Sequence, residues 1–205
     1  MRKIDIWLST ENPHKKAEFQ KNLEPLGFII HTPAELLNFP SVEETGVTLT
    51  ENAILKAKAL YDVVKQPVIA DDTGLEVEAL NGAPGVYSAR YAGIDGDDLA
   101  NNQLLLKNLA SETKRAAKFI CIIALIDDKN EITTFEGIAT GRITESAQGV
   151  GGFGYDALFF SDDLQKTFGD ATMEEKNQIS HRGRAIDAML KHPLFLIGGN
   201  RKCEL

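Results

Sequence analysis

Within the first 70 residues, short apolar runs at 4–8, 28–31 and 67–70 alternate with stretches of helical period, and this alternation restricts the chain to an α/β arrangement. Ile4, Ile6 and Leu8 read as a strand. Asn12 followed by Pro13 then opens a helix, since Asn caps free N–H groups and Pro suits the first helical position. A second helix over 51–64 places Ala53, Ala57, Leu60 and Val64 on one stripe, with Thr50 as its expected N-cap. The run Pro67-Val68-Ile69-Ala70 stops at Asp71-Asp72-Thr73-Gly74, which predicts two acids at a strand's C-terminal end, where open α/β sheets bind ligands.

The second half is less regular. A Gly- and Pro-containing loop covers 81–93, a helix 98–109, and a β-hairpin 119–126 with 132–143 turning through Asp127-Asp128-Lys129-Asn130. A Gly-rich loop at 149–154, a strand from Ala157 and a last helix over 181–190 complete the expected core. With no repeat and no low-complexity linker, residues 1–205 read as one domain, long enough for two lobes around a cleft.

Composition narrows the function. At 43% hydrophobic and 25% charged residues the chain is an ordinary globular one, and no apolar run is long enough to span a bilayer. The opening Met1-Arg2-Lys3 is followed by an acid and no small-residue cleavage site, so a secretory signal is not expected and a cytoplasmic protein is. Cys121 in an apolar run and Cys203 in a polar tail suggest reduced thiols, and the four histidines lack zinc spacing. A net charge of -8 argues against a nucleic-acid footprint but leaves room for a small polyanion offset by a divalent cation and local lysines.

Five clusters carry candidate chemistry. Thr10-Glu11-Asn12-Pro13-His14-Lys15 sits where a strand enters a helix, so N–H groups and Lys15 could receive phosphate; plain capping beside a solvated lysine explains it as well. Glu43-Glu44, with Glu51-Asn52 and Lys56, offers oxygen ligands for Mg²⁺ or is simply an acidic loop. Adjacent Asp71 and Asp72 point to opposite faces, so one can meet a metal and activate water while the other braces a neighbour. Gly149, Gly151 and Gly154 satisfy GxGxxG, yet a strand rather than a helix is expected after them, which rejects the dinucleotide fingerprint and leaves a loop presenting Phe153 and Asp156. Lys176, Ser180, His181 and Arg182 are donors and a cap, or surface charges. There is no P-loop, nucleophile elbow or HExxH.

Taken together, Glu43-Glu44-Thr45-Gly46, Glu51-Asn52-Ala53, Ala70-Asp71-Asp72-Thr73-Gly74-Leu75, Pro84-Gly85-Val86-Tyr87-Ser88-Ala89-Arg90-Tyr91, Gly152-Phe153-Gly154-Tyr155-Asp156 and Ser180-His181-Arg182-Gly183 resemble the inosine triphosphate pyrophosphatase family. The likeness spans nearly the whole chain, leaving a tail at 193–205 outside the family core. It implies an elongated mixed sheet with flanking helices, two lobes around a nucleotide cleft, a homodimer, and hydrolysis of inosine, deoxyinosine and xanthosine triphosphates to monophosphate and pyrophosphate. By the same resemblance, Thr10, Asn12, Lys15 and Lys56 hold the triphosphate, and Glu44 and Asp72 hold Mg²⁺. Asp72 activates water, and Asp71 supports it. Phe153, with Gly154 and Tyr155 in its loop, stacks on the base, whose edge faces Asp156, Lys176, His181, Arg182 and Thr73. A 6-oxo purine accepts from Lys or Arg where adenine presents a donor, a mismatch worth on the order of 10⁴-fold; rejection of guanine must then depend on the 2-position. Glu11, Thr73 and Ala157 depart from the family's usual residues, and Glu11 adds an acid near the phosphates. Two rivals stand beside this reading: a related pyrophosphatase preferring pyrimidine triphosphates, and a nucleotide-binding module without catalysis.

Overall fold

The computed structural model describes residues 4–196, so Met1 to Lys3 and Cys203 lie outside the described residues, as does the tail past Leu196. Its strands are β1 Ile4–Leu8, β2 Phe28–His31, β3 Val68–Val77, β4 Pro84–Gly85, β5 Ala116–Ile126, β6 Ile132–Ile143, β7 Phe159–Ser161 and β8 Lys166–Thr167. Its helices are α1 Pro13–Leu23, α2 Leu49–Val64, α3 Asp98–Asn108, α4 Met173–Ile179, α5 His181–Met189 and α6 Pro193–Leu196. The sheet is open and mixed, ordered β2-β1-β3-β5-β6-β7-β8 with β4 paired to β3. Strand β1 runs parallel to β2 and β3, whereas β4 is antiparallel to β3, and β7 to both β6 and β8. Among the described residues no helix is long and apolar enough to cross a membrane.

The chain divides into two compact units, the first comprising 1–72, 122–135 and 185–205 and the second 73–121 and 136–184. In the first, β1 is covered on both faces, Ile6 and Leu8 being 1% exposed and Trp7 9%, as befits a strand flanked by parallel neighbours. Ala53, Ala57 and Leu60 are fully buried along one stripe of α2, the face that the helical period selects. Phe195 of α6 is buried and its ring packs against Phe28 at 5.2 Å. In the second unit Leu75, Val77, Leu105, Leu109, Phe119, Phe159 and Phe168 make an apolar core.

Two expectations are corrected. Helix α2 begins at Leu49, capped by Thr48 rather than Thr50: the Thr48 hydroxyl accepts from the Glu51 N–H at 3.1 Å, and Leu49 is buried. Strand β3 does not stop at Asp71 but continues to Val77, because Leu75 and Val77 are apolar and fully buried beyond the acids. The aspartates therefore lie within a ten-residue strand. What ends nearby is β1, whose last residue, Leu8, pairs with Ile69, so the acids project just past a neighbour's terminus. Helix α4, α6 and the short strands β4 and β8 were not expected; each is seven residues or fewer, too short to display a period.

Candidate functional site

In the first unit, the β1–α1 turn builds the phosphate-loop candidate. Asn12 caps α1, its side-chain oxygen accepting from the N–H groups of His14 at 2.9 Å and Lys15 at 3.3 Å, while Thr10 Oγ1 accepts from the Asn12 N–H at 3.2 Å. Lys15 is not a solvated lysine: its ammonium pairs with Asp71 Oδ2 at 3.0 Å, and that carboxylate is fully buried. Glu11 is exposed and lines a cavity of about 440 Å³ with Lys16, Thr32, Asn38 and Phe39.

Strand alternation sends Asp72 the other way. Lys56, one residue of the α2 stripe's flank, places its ammonium 2.6 Å from Glu44 Oε1 and 3.1 Å from Asp72 Oδ1, so two acids 28 positions apart share one cation. The structure thus selects Glu44 for this contact. Burial opposes charge on Lys56, but Asp72, Glu44 and Asp71 outweigh it and hold its pKa above the ordinary value. Burial pushes the Asp72 carboxyl up, against the pull of Lys56 and with the help of Glu44. Asp72 Oδ2 is buried without a hydrogen-bond partner, a state that costs free energy unless another group meets it.

The acidic loop is fixed to the first turn of α2. The Gly46 N–H donates to Asn52 Oδ1 at 2.8 Å and the Val47 N–H to Glu51 Oε2 at 2.7 Å, Asn52 being fully buried. A Cβ at Gly46 would meet Asn52 Oδ1 at 2.5 Å, so this approach requires glycine. Two carboxylates on a tethered loop and a rigid strand make a hard-oxygen donor set. Among the described residues no group of three or more His, Cys, Asp or Glu could hold a metal alone; a site for Mg²⁺ that keeps its waters and takes substrate phosphates needs only one or two.

The second unit collects the remaining residues. Asp156, 3% exposed, accepts on Oδ2 from both the Phe153 N–H at 2.9 Å and the Lys176 ammonium at 2.6 Å. Lys176 stands 4.8 Å from the centre of the Phe153 ring and Arg182 5.9 Å from it, within range of cation–π attraction. Arg182, 1% exposed, donates to Thr73 Oγ1 at 3.2 Å. His181 is buried with its ring stacked on Phe119 at 4.6 Å. Ser180 separates α4 from α5 and accepts the Gly183 N–H at 3.0 Å, which sets Lys176 and Arg182 on consecutive short helices. Tyr155 lies in the core and donates to the Ser88 carbonyl at 2.8 Å; burial first, then Tyr91 and Asp98, pushes its phenol well above the usual range.

Sequence reasoning missed Asp98 and Asn102, which bond the Gly154 N–H and carbonyl at 2.7 and 2.9 Å. Their spacing of four on an expected helix was the available signal, but it names no partner.

Comparison with known proteins places this arrangement. The sequence pattern of the Ham1 family matches residues 6–192. An Exiguobacterium protein named dITP/XTP pyrophosphatase is 46% identical over 89% of this chain and 93% of its own length. One of the same name from Treponema denticola is also 46% identical, over 89% and 95%. The Staphylococcus aureus Ham1 protein superposes with a TM-score of 0.84 at 41% identity, covering 95% of this chain and 98% of that one. The chain belongs to the Ham1 family.

Proposed function

We propose that the protein hydrolyses non-standard purine nucleoside triphosphates, those of inosine, deoxyinosine and xanthosine, with Mg²⁺, yielding the nucleoside monophosphate and pyrophosphate. The observation that carries this reading is Lys56 joining Glu44 to Asp72 while Asp72 Oδ2 stays buried and unpartnered. That oxygen and the Glu44 carboxylate would hold the ion, which neutralises charge on the phosphates and on the leaving pyrophosphate. The family's relatives named dITP/XTP pyrophosphatase support the same substrate class.

In this reading Lys15, Lys56 and the first N–H groups of α1 receive phosphate oxygens, and Thr10 and Asn12 shape the turn that presents them. Asp71 holds Lys15 in place from the opposite face of β3. Asp72 takes the proton from the attacking water. Oxygen from that water ends on the monophosphate, and the bond to the β-phosphate oxygen breaks. Phe153 supplies a stacking face for the base. Lys176 and Arg182 are donors only, whatever partner they meet, which favours a 6-oxo purine over adenine. A homodimer rests on the family resemblance, and light scattering tests it.

The test is pyrophosphate release from a nucleotide panel in Mg²⁺. Deoxyinosine and xanthosine triphosphates are expected to exceed deoxyadenosine and thymidine triphosphates in kcat/KM by at least about 10²-fold. A preference for thymidine triphosphate favours the pyrimidine rival, and tight inosine triphosphate binding without release favours a binding module; either result rejects the proposal.

A further inference from the structure

Gly154 is gripped from both sides by one helix. Its N–H donates to Asp98 Oδ2 at 2.7 Å and its carbonyl accepts from Asn102 Nδ2 at 2.9 Å. Asp98 and Asn102 are one turn apart on α3 and so share a face. Packing does not fix this point of the chain: Gly154 has a φ of +61°, and a Cβ built there would meet nothing within 4 Å. In open space, with glycine's wide conformational freedom, the two side-chain bonds add to the turn that the Asp156 N–H closes on the Phe153 carbonyl at 3.2 Å, and they are the bonds that tie Gly154 itself to a helix.

The residues on either side are anchored differently. The Phe153 N–H is held by Asp156, and the Tyr155 hydroxyl by the Ser88 carbonyl. Phe153 therefore sits between a buried anchor and the α3 clamp. Freeing Gly154 would remove the anchor that follows Phe153 in the chain and leave the Asp156 bond before it.

We propose that Asp98 and Asn102 are positioning residues for base recognition: by clamping Gly154 they hold the Phe153 ring in its stacking orientation and so set affinity for the purine. The assignment rests on the reading of Phe153 as the base platform. The clamp has a chemical polarity. A carboxylate only accepts and the amide nitrogen only donates, so Asp98→Asn keeps an acceptor oxygen, whereas Asn102→Asp sets a carboxylate against a carbonyl.

Steady-state kinetics with deoxyinosine triphosphate in Mg²⁺, with thermal midpoints measured alongside, test the clamp. Asn102→Ala, Asn102→Asp and Asp98→Ala are expected to raise KM about tenfold with kcat within about twofold, while Asp98→Asn stays close to wild type. Acting through one ring, the effect of Asn102→Ala should vanish in a Phe153→Ala background. A purely structural role would instead lower the thermal midpoint and persist in that background. If Phe153→Ala raises KM but the Asn102 variants do not, or if Asp98→Asn is as damaging as Asp98→Ala, the clamp is wrong and the platform survives. If Phe153→Ala leaves KM and the purine preference unchanged, the platform reading falls and the clamp's role with it.

Discussion

The two units each bury a polar cluster, and the clusters differ in make-up: several carboxylates with two lysines in the first, cationic side chains beside aromatic rings in the second. In the first, the carboxylates of Glu44, Asp71 and Asp72 face the ammonium groups of Lys15 and Lys56. In the second, Asp156 faces Lys176, and the Arg182 guanidinium lies 5.9 Å from the centre of the Phe153 ring. The acid-rich cluster has an oxygen still to satisfy and repels a triphosphate unless a cation intervenes. The base-rich cluster is walled by Phe119, Phe153 and Phe168 and suits a neutral planar group carrying acceptors.

The comparison can be broken first on its acid side. On the proposed roles, Asp72→Asn keeps shape and removes the base and a ligand oxygen, so kcat for deoxyinosine triphosphate is expected to fall about 10³-fold while the thermal midpoint moves by less than about 3 °C. Turnover near wild type would remove Asp72 from the chemistry. On the base side, Lys176→Met leaves the Asp156 carboxylate buried without its ammonium, which is expected to cost about 3 kcal/mol in chemical denaturation and to erase preference for 6-oxo purines. Unchanged stability would show that this ion pair is replaceable, and unchanged preference that selectivity lies elsewhere.

The smallest effect serves as a control away from both clusters. His31 presents Nδ1 to Glu35 at 2.7 Å and Nε2 to Asp5 at 2.9 Å, and the hydrogen bonds to Asp5 and then Glu35 hold its pKa above the ordinary value. A raised folded pKa means this stabilisation is complete below the unfolded value of about 6.5 and is lost as pH rises through the folded one. The partly exposed pair should contribute less than about 1 kcal/mol. Wild type minus His31→Gln stability is therefore expected to shrink from pH 6 to pH 9; a difference that grows with pH contradicts the assignment.

The starts of β1, α1, β2 and α3 were legible in the sequence, because short apolar runs, helical spacing and capping are local signals. Asp71 pairs with Lys15 and Asp72 with Lys56, different partners of the kind strand alternation leads one to expect. Their placement at a strand end was not correct, since whether β3 continues depends on what covers Leu75 and Val77, and that is a tertiary fact. Residue type and spacing alone did not separate Glu43 from Glu44; in the structure it is Glu44 that Lys56, twelve positions away, contacts. The α3 clamp on Gly154 was invisible for the same reason, its partners lying 52 and 56 positions apart.

The acid-rich cluster's need for a divalent cation is the claim on which the rest depends, and a Mg²⁺ titration of pyrophosphate release tests it most directly. No release from deoxyinosine triphosphate is expected in chelator, with saturable recovery on adding Mg²⁺. Glu44→Gln, at an unchanged thermal midpoint, should need about tenfold more Mg²⁺ for half-maximal rate. Turnover in chelator equal to that in Mg²⁺, or an identical Mg²⁺ requirement in Glu44→Gln, would contradict the account.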